Sequence, residues 1–382
     1  MDKEKVISSG LVGDRIFLTK DTGEASAETV LRYRDALEHF ITSGLPGQHL
    51  KKLASAGLTA IVGVAPSSTA GIPLWKGSVP RALSYMLLTL AGGVVMIVAG
   101  GPLAKLLGAL AVVSAMRNFT SSVGHHLTHS TAQLPWPGQW TRAGYNALSA
   151  LFLLSSFEEY RKAHGVHHGK VAGAEDPDQQ FIEYVRARLT GWLPFVSTLL
   201  DPRFHARFLK ARLNASIGSG PAWRRVLAAA GIFGVFVLPT AAVATWFATL
   251  IVGYQTASML SWLSLHLWGA RPASGRPAEI ATAVTYGRLL LPEASYRGLA
   301  LLTVCGLVRV LWLQGDLVNH DLHHLWQGPW TEAPYVRTRL LLEGAPIRQT
   351  INVRNMFRVA FEAAANTRAR RAEMSDSGMR TM

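Results

Sequence analysis

Charge is what this chain has least of. Asp, Glu, Lys and Arg make up 16% of its 382 residues, against about 25% in an ordinary soluble domain. Mean hydropathy is positive, and 49% of the residues are hydrophobic. Such a deficit is expected when lipid covers part of the surface. Acid is scarcer than base, 24 residues against 38, leaving a net charge of +14. Cysteine is nearly absent. Cys305 alone excludes an intrachain disulfide and a thiolate metal cage; within the apolar run 299–308 it reads as a buried structural thiol. There is no Gly-rich dinucleotide loop, no internal repeat and no low-complexity tract. The N-terminal MDKEKVISSG is polar and precedes no apolar core of a cleavable signal.

The missing charge is localised. The 45 residues between Arg225 and Arg271 hold no Asp, Glu, Lys or Arg, and the block Ala82 to Met116 holds only Lys105. A spanning helix needs about 20 residues, so each block is expected to fold as a hairpin. The first turns at Gly100, Gly101 and Pro102, the second near Pro239. Shorter apolar runs fall below spanning length. Leu58 to Val64 is assigned to the membrane interface, Leu148 to Leu154 and Leu189 to Leu200 to interfacial or buried helices. Helical periodicity is visible near Thr29 to Phe40.

The basic residues form no compact patch with interleaved aromatics, which argues against a nucleic-acid partner. They flank the apolar blocks instead. Residues 161–225 carry eleven Lys or Arg against five acids, and residues 334–382 carry nine Arg against four. Lys and Arg accumulate on the cytoplasmic side of membranes, so both segments, and with four crossings both termini, are expected there. The expected fold is all-α: an integral, multi-pass membrane protein with two transmembrane hairpins, four spanning helices in all, and a cytosolic helical cap. Residues 1–80 form a cytosolic N-terminal region, 81–340 the membrane domain and 341–382 a basic cytosolic tail.

Histidine is concentrated outside the two charge-poor blocks. Of thirteen histidines, nine form three clusters. His125, His126 and His129 contain H-x-x-x-H; His164, His167, His168 and His320, His323, His324 each read H-x-x-H-H. On a helix, positions i, i+3 and i+4 share a face, and several imidazoles on one face can surround a metal. Ser155 with Glu158 resembles a capping box ahead of His164. Asp316 is placed to cap the third cluster's helix, and Gly328–Pro329 to end it. All three clusters follow an even number of crossings and so share one side of the membrane. Eight or nine imidazoles exceed the three or four protein ligands of one zinc site, which points to two ions. Imidazole alone suits zinc, copper, iron or nickel. His39, His49 and His205 have no partner at ligand spacing and read as surface residues.

These boxes, with their local text GHHLTHS, YRKAHGVHHGKVAGAEDPD and VNHDLHHLWQGPW, resemble those of the membrane-bound fatty acid desaturases and hydroxylases. The resemblance covers roughly residues 80–340. It implies two ferrous ions, O₂ as co-substrate and an acyl-chain substrate, with no catalytic residues beyond the metal ligands. Those ligands would be His125, His129, His164, His167, His168, His320, His323 and His324, joined by His266 near the end of the last span. His126 is a possible further ligand, standing where the family often has Asp or Glu. Trp262 stands one turn before His266, where relatives carry a polar residue that binds metal through water. Glu158, Glu159, Asp176, Asp178, Asp316 and Asp321 are candidates to orient the ligating rings, and Arg161 to pair with a carboxylate or a substrate head group. Electrons would come from outside, from a ferredoxin or small haem protein docked on the basic face. Desaturation is the leading expectation. Hydroxylation or oxidative decarboxylation on the same scaffold is the alternative, and a His-rich metal transporter or sensor is the distant one.

Overall fold

A Pro at the first helical position tolerates its missing N–H, and the two glycines before it free the backbone to turn. The computed structural model breaks there as expected. It describes residues 27–69, 79–129, 138–186, 197, 199–217, 221–263, 266, 285, 289, 291–292, 294–308, 319–325 and 332–344. In chain order these form α1 (Ala27–Thr42), α2 (Gln48–Val62), α3 (Val79–Ala99), α4 (Pro102–Asn118), α5 (Gly138–Leu151), α6 (Phe157–Lys170), α7 (Gln179–Arg186), α8 (Pro202–Ile217), α9 (Ala222–Phe233), α10 (Thr240–Phe247), α11 (Tyr296–Val308), α12 (His320–Leu325) and α13 (Ala333–Leu342). Among the described residues no strand occurs, only an isolated antiparallel bridge between His266 and Thr285.

The chain divides into two units. One comprises residues 1–77, 168–174 and 263–382; the other comprises 78–167 and 175–262. We call them the peripheral and the hairpin unit. Their boundary falls inside α6, between His167 and His168.

In the hairpin unit, α3 and α4 lie against each other with glycine at the crossing. A Cβ on Gly108 would come within 2.6 Å of the Gly93 carbonyl oxygen, and one on Gly93 within 2.9 Å of the Gly108 oxygen. Small residues permit this close approach between helices in lipid. Leu88, Val95, Leu103 and Leu106 point outward and are exposed, which fits a lipid-facing wall. Inward, Met116, Phe119, Tyr145, Phe152, Phe157 and Leu250 share one core, where Phe119 stacks on Tyr145 with ring centroids 4.5 Å apart. The Leu148 to Leu154 run packs at this core. Arg224 closes it from α9, donating to the carbonyls of Asn146, Ser216 and Leu154.

Among the described residues three helices are long and apolar enough to cross a membrane: Ala82–Ala99, Pro102–Thr128 and Thr240–Trp262. The expected turn near Pro239 is present, since Pro239 caps α10. The arm before it is short. After α9 comes one 3₁₀ turn, Gly234–Val237, so the helical stretch 222–237 is about 26 Å long at about 1.5 and 2.0 Å per residue. The hydrocarbon core is about 30 Å thick. Four spanning helices were expected, and among the described residues three reach that length.

In the peripheral unit, α1, α2, α11 and α13 enclose Leu37, Leu58, Val62, Val64, Leu302 and Leu341. Of the run Leu58 to Val64, assigned to the interface, Leu58, Val62 and Val64 are core residues and Ala60 is exposed. Arg34, fully buried, ties the layer together by donating to the Val64 carbonyl, Thr59 Oγ1 and Glu38.

Candidate metal centre

In the hairpin unit the helix begun by α4 does not stop at Asn118. Asn118 Nδ2 and the hydroxyls of Thr120 and Ser121 donate back to the carbonyls of Ser114, Met116 and Arg117. Such side chains compete with the main-chain ladder, which widens into a π-helical turn at Phe119–Gly124. A π turn re-aims the residues beyond it and is frequent at functional sites. His125 and His126 open the next turn, and His129 ends it.

α6 supplies the partner ring. It starts at a capping box one residue later than expected. Ser156 and Glu159 bond reciprocally, Ser156 N–H to Oε2 at 3.0 Å and Glu159 N–H to Oγ at 3.3 Å. Phe157 N–H also donates to Asn146 Oδ1 of α5 at 2.8 Å. The helix thus held brings His164 Nε2 to 2.8 Å from His129 Nε2, with its ring 4.7 Å from that of His125. Ring nitrogens of His125, His129 and His164 lie within 4.8 Å of one another. Tyr160, one turn before His164, stacks on its ring with centroids 5.7 Å apart and planes 5° from parallel.

The peripheral unit holds a second set. His320 Nε2 is 3.2 Å from His266 Nε2 and 3.1 Å from His324 Nε2. His323 Nε2 is 3.2 Å from His168 Nε2, and the His168 and His324 rings are 4.4 Å apart. His266, His320 and His324 are buried.

These spacings test the fit of a metal. Two nitrogens bound to one ion at ~2.1 Å, with roughly 90–110° between the bonds, sit about 3.0–3.4 Å apart. The peripheral contacts fall in that range, and the 2.8 Å His129–His164 contact lies just below it. A hydrogen-bonded reading fits less well. One imidazole Nε2 either donates one hydrogen or accepts one, yet His320 Nε2 faces two ring nitrogens. Three lone pairs directed at a common ion satisfy all of them. Each unit therefore offers three imidazoles suited to one ion.

Other groups orient these rings. His167 Nδ1 lies 2.9 Å from Asp176 Oδ2, and both side chains are buried. A ring that donates from Nδ1 to a carboxylate presents its Nε2 lone pair to a metal. Burial opposes a charged His167, but the hydrogen bond and charge of Asp176, with Asp178 beyond, outweigh it and raise its pKa. Asp178 donates its backbone N–H to Asp176 Oδ1 at 3.0 Å. Its own pKa is raised, chiefly by desolvation and with help from Asp176, against the pull of His167 and Arg117. His266 Nδ1 meets Thr285 Oγ1 at 3.1 Å. Thr285, Tyr160 and Arg117 were not singled out in the sequence. Tyr160 is legible in hindsight from its i−4 spacing to His164; Thr285, nineteen residues from its ring, carries no local signal.

Other candidates lie elsewhere. His126 is buried but joins neither set. Glu158 is exposed and paired with Arg161 at 2.7 Å on the outside of α6, and Glu159 caps the helix. Helix position turns Glu158 outward, and the capping box engages Glu159. His205, read as a surface residue, is buried between Gln255 at 2.9 Å and the Leu199 carbonyl at 2.7 Å; packing of α8 against the last span encloses it. His39 and His49 are exposed. The Trp262 indole stacks on Phe208, centroids 5.4 Å apart. Asp316, Gly328–Pro329 and the side chains of Asp321 and Cys305 lie outside the described residues, as does most of the run Leu189 to Leu200.

The family model for fatty acid desaturases matches residues 100–348, well over half of the chain and every histidine of both sets. The chain belongs to the fatty acid desaturase family. No curated protein and no solved structure matched it. Membership makes it a desaturase-like oxidoreductase, and the family's di-iron cofactor is consistent with two sets of imidazoles. As a desaturase-family chain it also has the expected apolar helices of a membrane protein.

Proposed function

We propose that this protein is an O₂-dependent, membrane-bound di-iron desaturase that places a double bond in a fatty acyl chain. The observation that carries the reading is the pair of three-imidazole sets, one in each unit, whose ring nitrogens lie within 4.8 Å of one another. His125, His129 and His164 hold one ferrous ion, and His266, His320 and His324 the other. His168 and His323 add ligands, and His167 is aimed by Asp176. When bound, the irons supply the O₂ chemistry that removes two hydrogens from adjacent unactivated carbons. Overall, one O₂, two electrons and two protons join the two hydrogens to give two waters.

The chain's own groups orient and shield. Asp176 and Thr285 each fix a tautomer, so that Nε2 faces the ion. The buried Phe119–Tyr145–Phe157 core backs α6 and keeps water from its inner side. Ligand positions held this firmly let the protein present one stretch of an acyl chain to the metals. Electrons come from a separate acidic carrier, a ferredoxin or small haem protein, docked on the basic surface. The site and both termini are cytosolic, and residues 222–237 with their flanks complete a fourth crossing.

Product mass spectrometry after incubation with candidate acyl lipids, ferredoxin, reductase and O₂ tests this. Loss of two mass units per acyl chain, abolished in His167→Ala, is the expected result. A gain of one oxygen indicates hydroxylation on the same scaffold, and metal uptake with no oxidised product refutes the enzyme reading.

A further inference from the structure

The peripheral unit carries two helices whose outward faces lack the charge that a water-facing helix needs. α2 buries Ser55, Leu58, Thr59 and Val62. Its opposite side presents Leu50, Leu53, Ala56, Gly57 and Ala60, with Leu50 and Leu53 46% and 57% exposed. α11 buries Gly298, Leu302 and Gly306 and turns Tyr296, Ala300, Leu301 and Val304 outward; Tyr296 is 83% and Val304 61% exposed. A surface helix ordinarily shows a polar outer stripe. Neither helix contains an acidic residue, and their cations, Lys51, Lys52 and Arg297, all sit near the N-terminal ends.

Two contacts fix how these helices lie within the unit. The Phe40 ring, near the end of α1 and just before the loop into α2, meets Tyr296 at the start of α11, centroids 5.3 Å apart. A Cβ on Gly306, near the end of α11, would stand 3.3 Å from Ile61, near the end of α2. α2 and α11 thus meet near their C-terminal ends, and α11 begins against the end of α1. Nine residues before Ile61 is Lys52, and nine before Gly306 is Arg297. Both lie ~13.5 Å back along the axes, so each helix carries its cations toward the N-terminal end, away from the Gly306–Ile61 contact.

We propose that these two faces are lipid contacts: α2 and α11 rest in the headgroup region of an anionic leaflet, with Leu50, Leu53, Leu301 and Val304 against the acyl boundary. Lys51, Lys52 and Arg297 pair with lipid phosphates. At fifteen and thirteen residues, neither helix reaches across a core that takes about 20, and an in-plane position is what an apolar face with basic flanks adopts. Three cations and no acid select an anionic lipid over a second copy of a chain whose own charge is +14. The inference rests on membrane residence and not on the reaction catalysed.

The test uses the unmodified full chain in nanodiscs of phosphatidylcholine with phosphatidylglycerol. A phospholipid bearing a diazirine near the glycerol end of its acyl chain is photolysed, and adducts are mapped by mass spectrometry. Adducts in peptides spanning 48–60 and 296–304 are expected, at a yield comparable to those in α3 and α4, which report insertion. Replacing Lys51, Lys52 and Arg297 by Gln should lower the peripheral adducts several-fold and leave those of α3 and α4 unchanged. Labelled spans with unlabelled 48–60 and 296–304 overturn the proposal. So does protection of these peptides that appears only when two chains share a disc, since that assigns the faces to a second copy.

Discussion

Asp176 offers a sharp perturbation, because its two oxygens serve two different atoms: Oδ2 faces His167 Nδ1 at 2.9 Å, and Oδ1 accepts the Asp178 N–H at 3.0 Å. Asp176→Ala removes both. Loss of a carboxylate behind a ligating imidazole typically weakens metal binding about 10–100-fold, or about 1.4–2.7 kcal/mol. Asp176→Asn keeps one carbonyl oxygen and can satisfy one of the two donors, so its loss should be smaller, under roughly tenfold by the same scale. The assay is iron retained per chain by the detergent-purified protein under graded chelator competition, with the melting temperature followed in parallel. The expected order is wild type, Asn, Ala for iron retention, with a melting temperature that Asn largely preserves. An Ala variant that holds iron as tightly as the parent would refute the role given to this carboxylate. A fall in melting temperature without a change in iron affinity would reduce Asp176 to a loop residue.

Three further outcomes follow from contacts at or near the two sets. Thr285→Val removes the hydroxyl at 3.1 Å from His266 Nδ1 with little change in volume; iron occupancy should fall about tenfold, while Thr285→Ser retains it. His125→Ala should lower the iron content per chain measured by elemental analysis, whereas His126→Ala, outside both sets, should leave it unchanged; equal losses in the two would remove the distinction. Gly231→Ala places a Cβ 2.3 Å from the Leu151 carbonyl oxygen, a backbone clash that no rotamer relieves. It should destabilise by about 1–3 kcal/mol, seen as a lower melting temperature, with iron per folded chain unaltered.

Much of the site is readable in one dimension because helical periodicity is local. H-x-x-H-H puts three rings on one face wherever the segment is a helix, and both copies are helical, in α6 and α12. The Gly100–Gly101–Pro102 and Pro239 breaks were equally legible, since their effect is a property of their own backbone. Helix starts are harder: Ser155 and Ser156 are chemically identical caps, and Phe157 N–H finding Asn146 of another helix decides between them.

What the sequence determined by itself was therefore the apolar blocks, their breaks, the histidine faces and the number of imidazoles, all set by spacing and composition along the chain. Tertiary structure alone decided which ring meets which: His129 with His164, His266 with His320, His168 with His323. It also decided that Asp176 rather than Glu158 backs a ligand, that Thr285 holds His266, and that His205 is buried. Those outcomes depend on approaches between residues from nine to 155 positions apart, and loop closure over such distances leaves no periodic trace in the residues it joins.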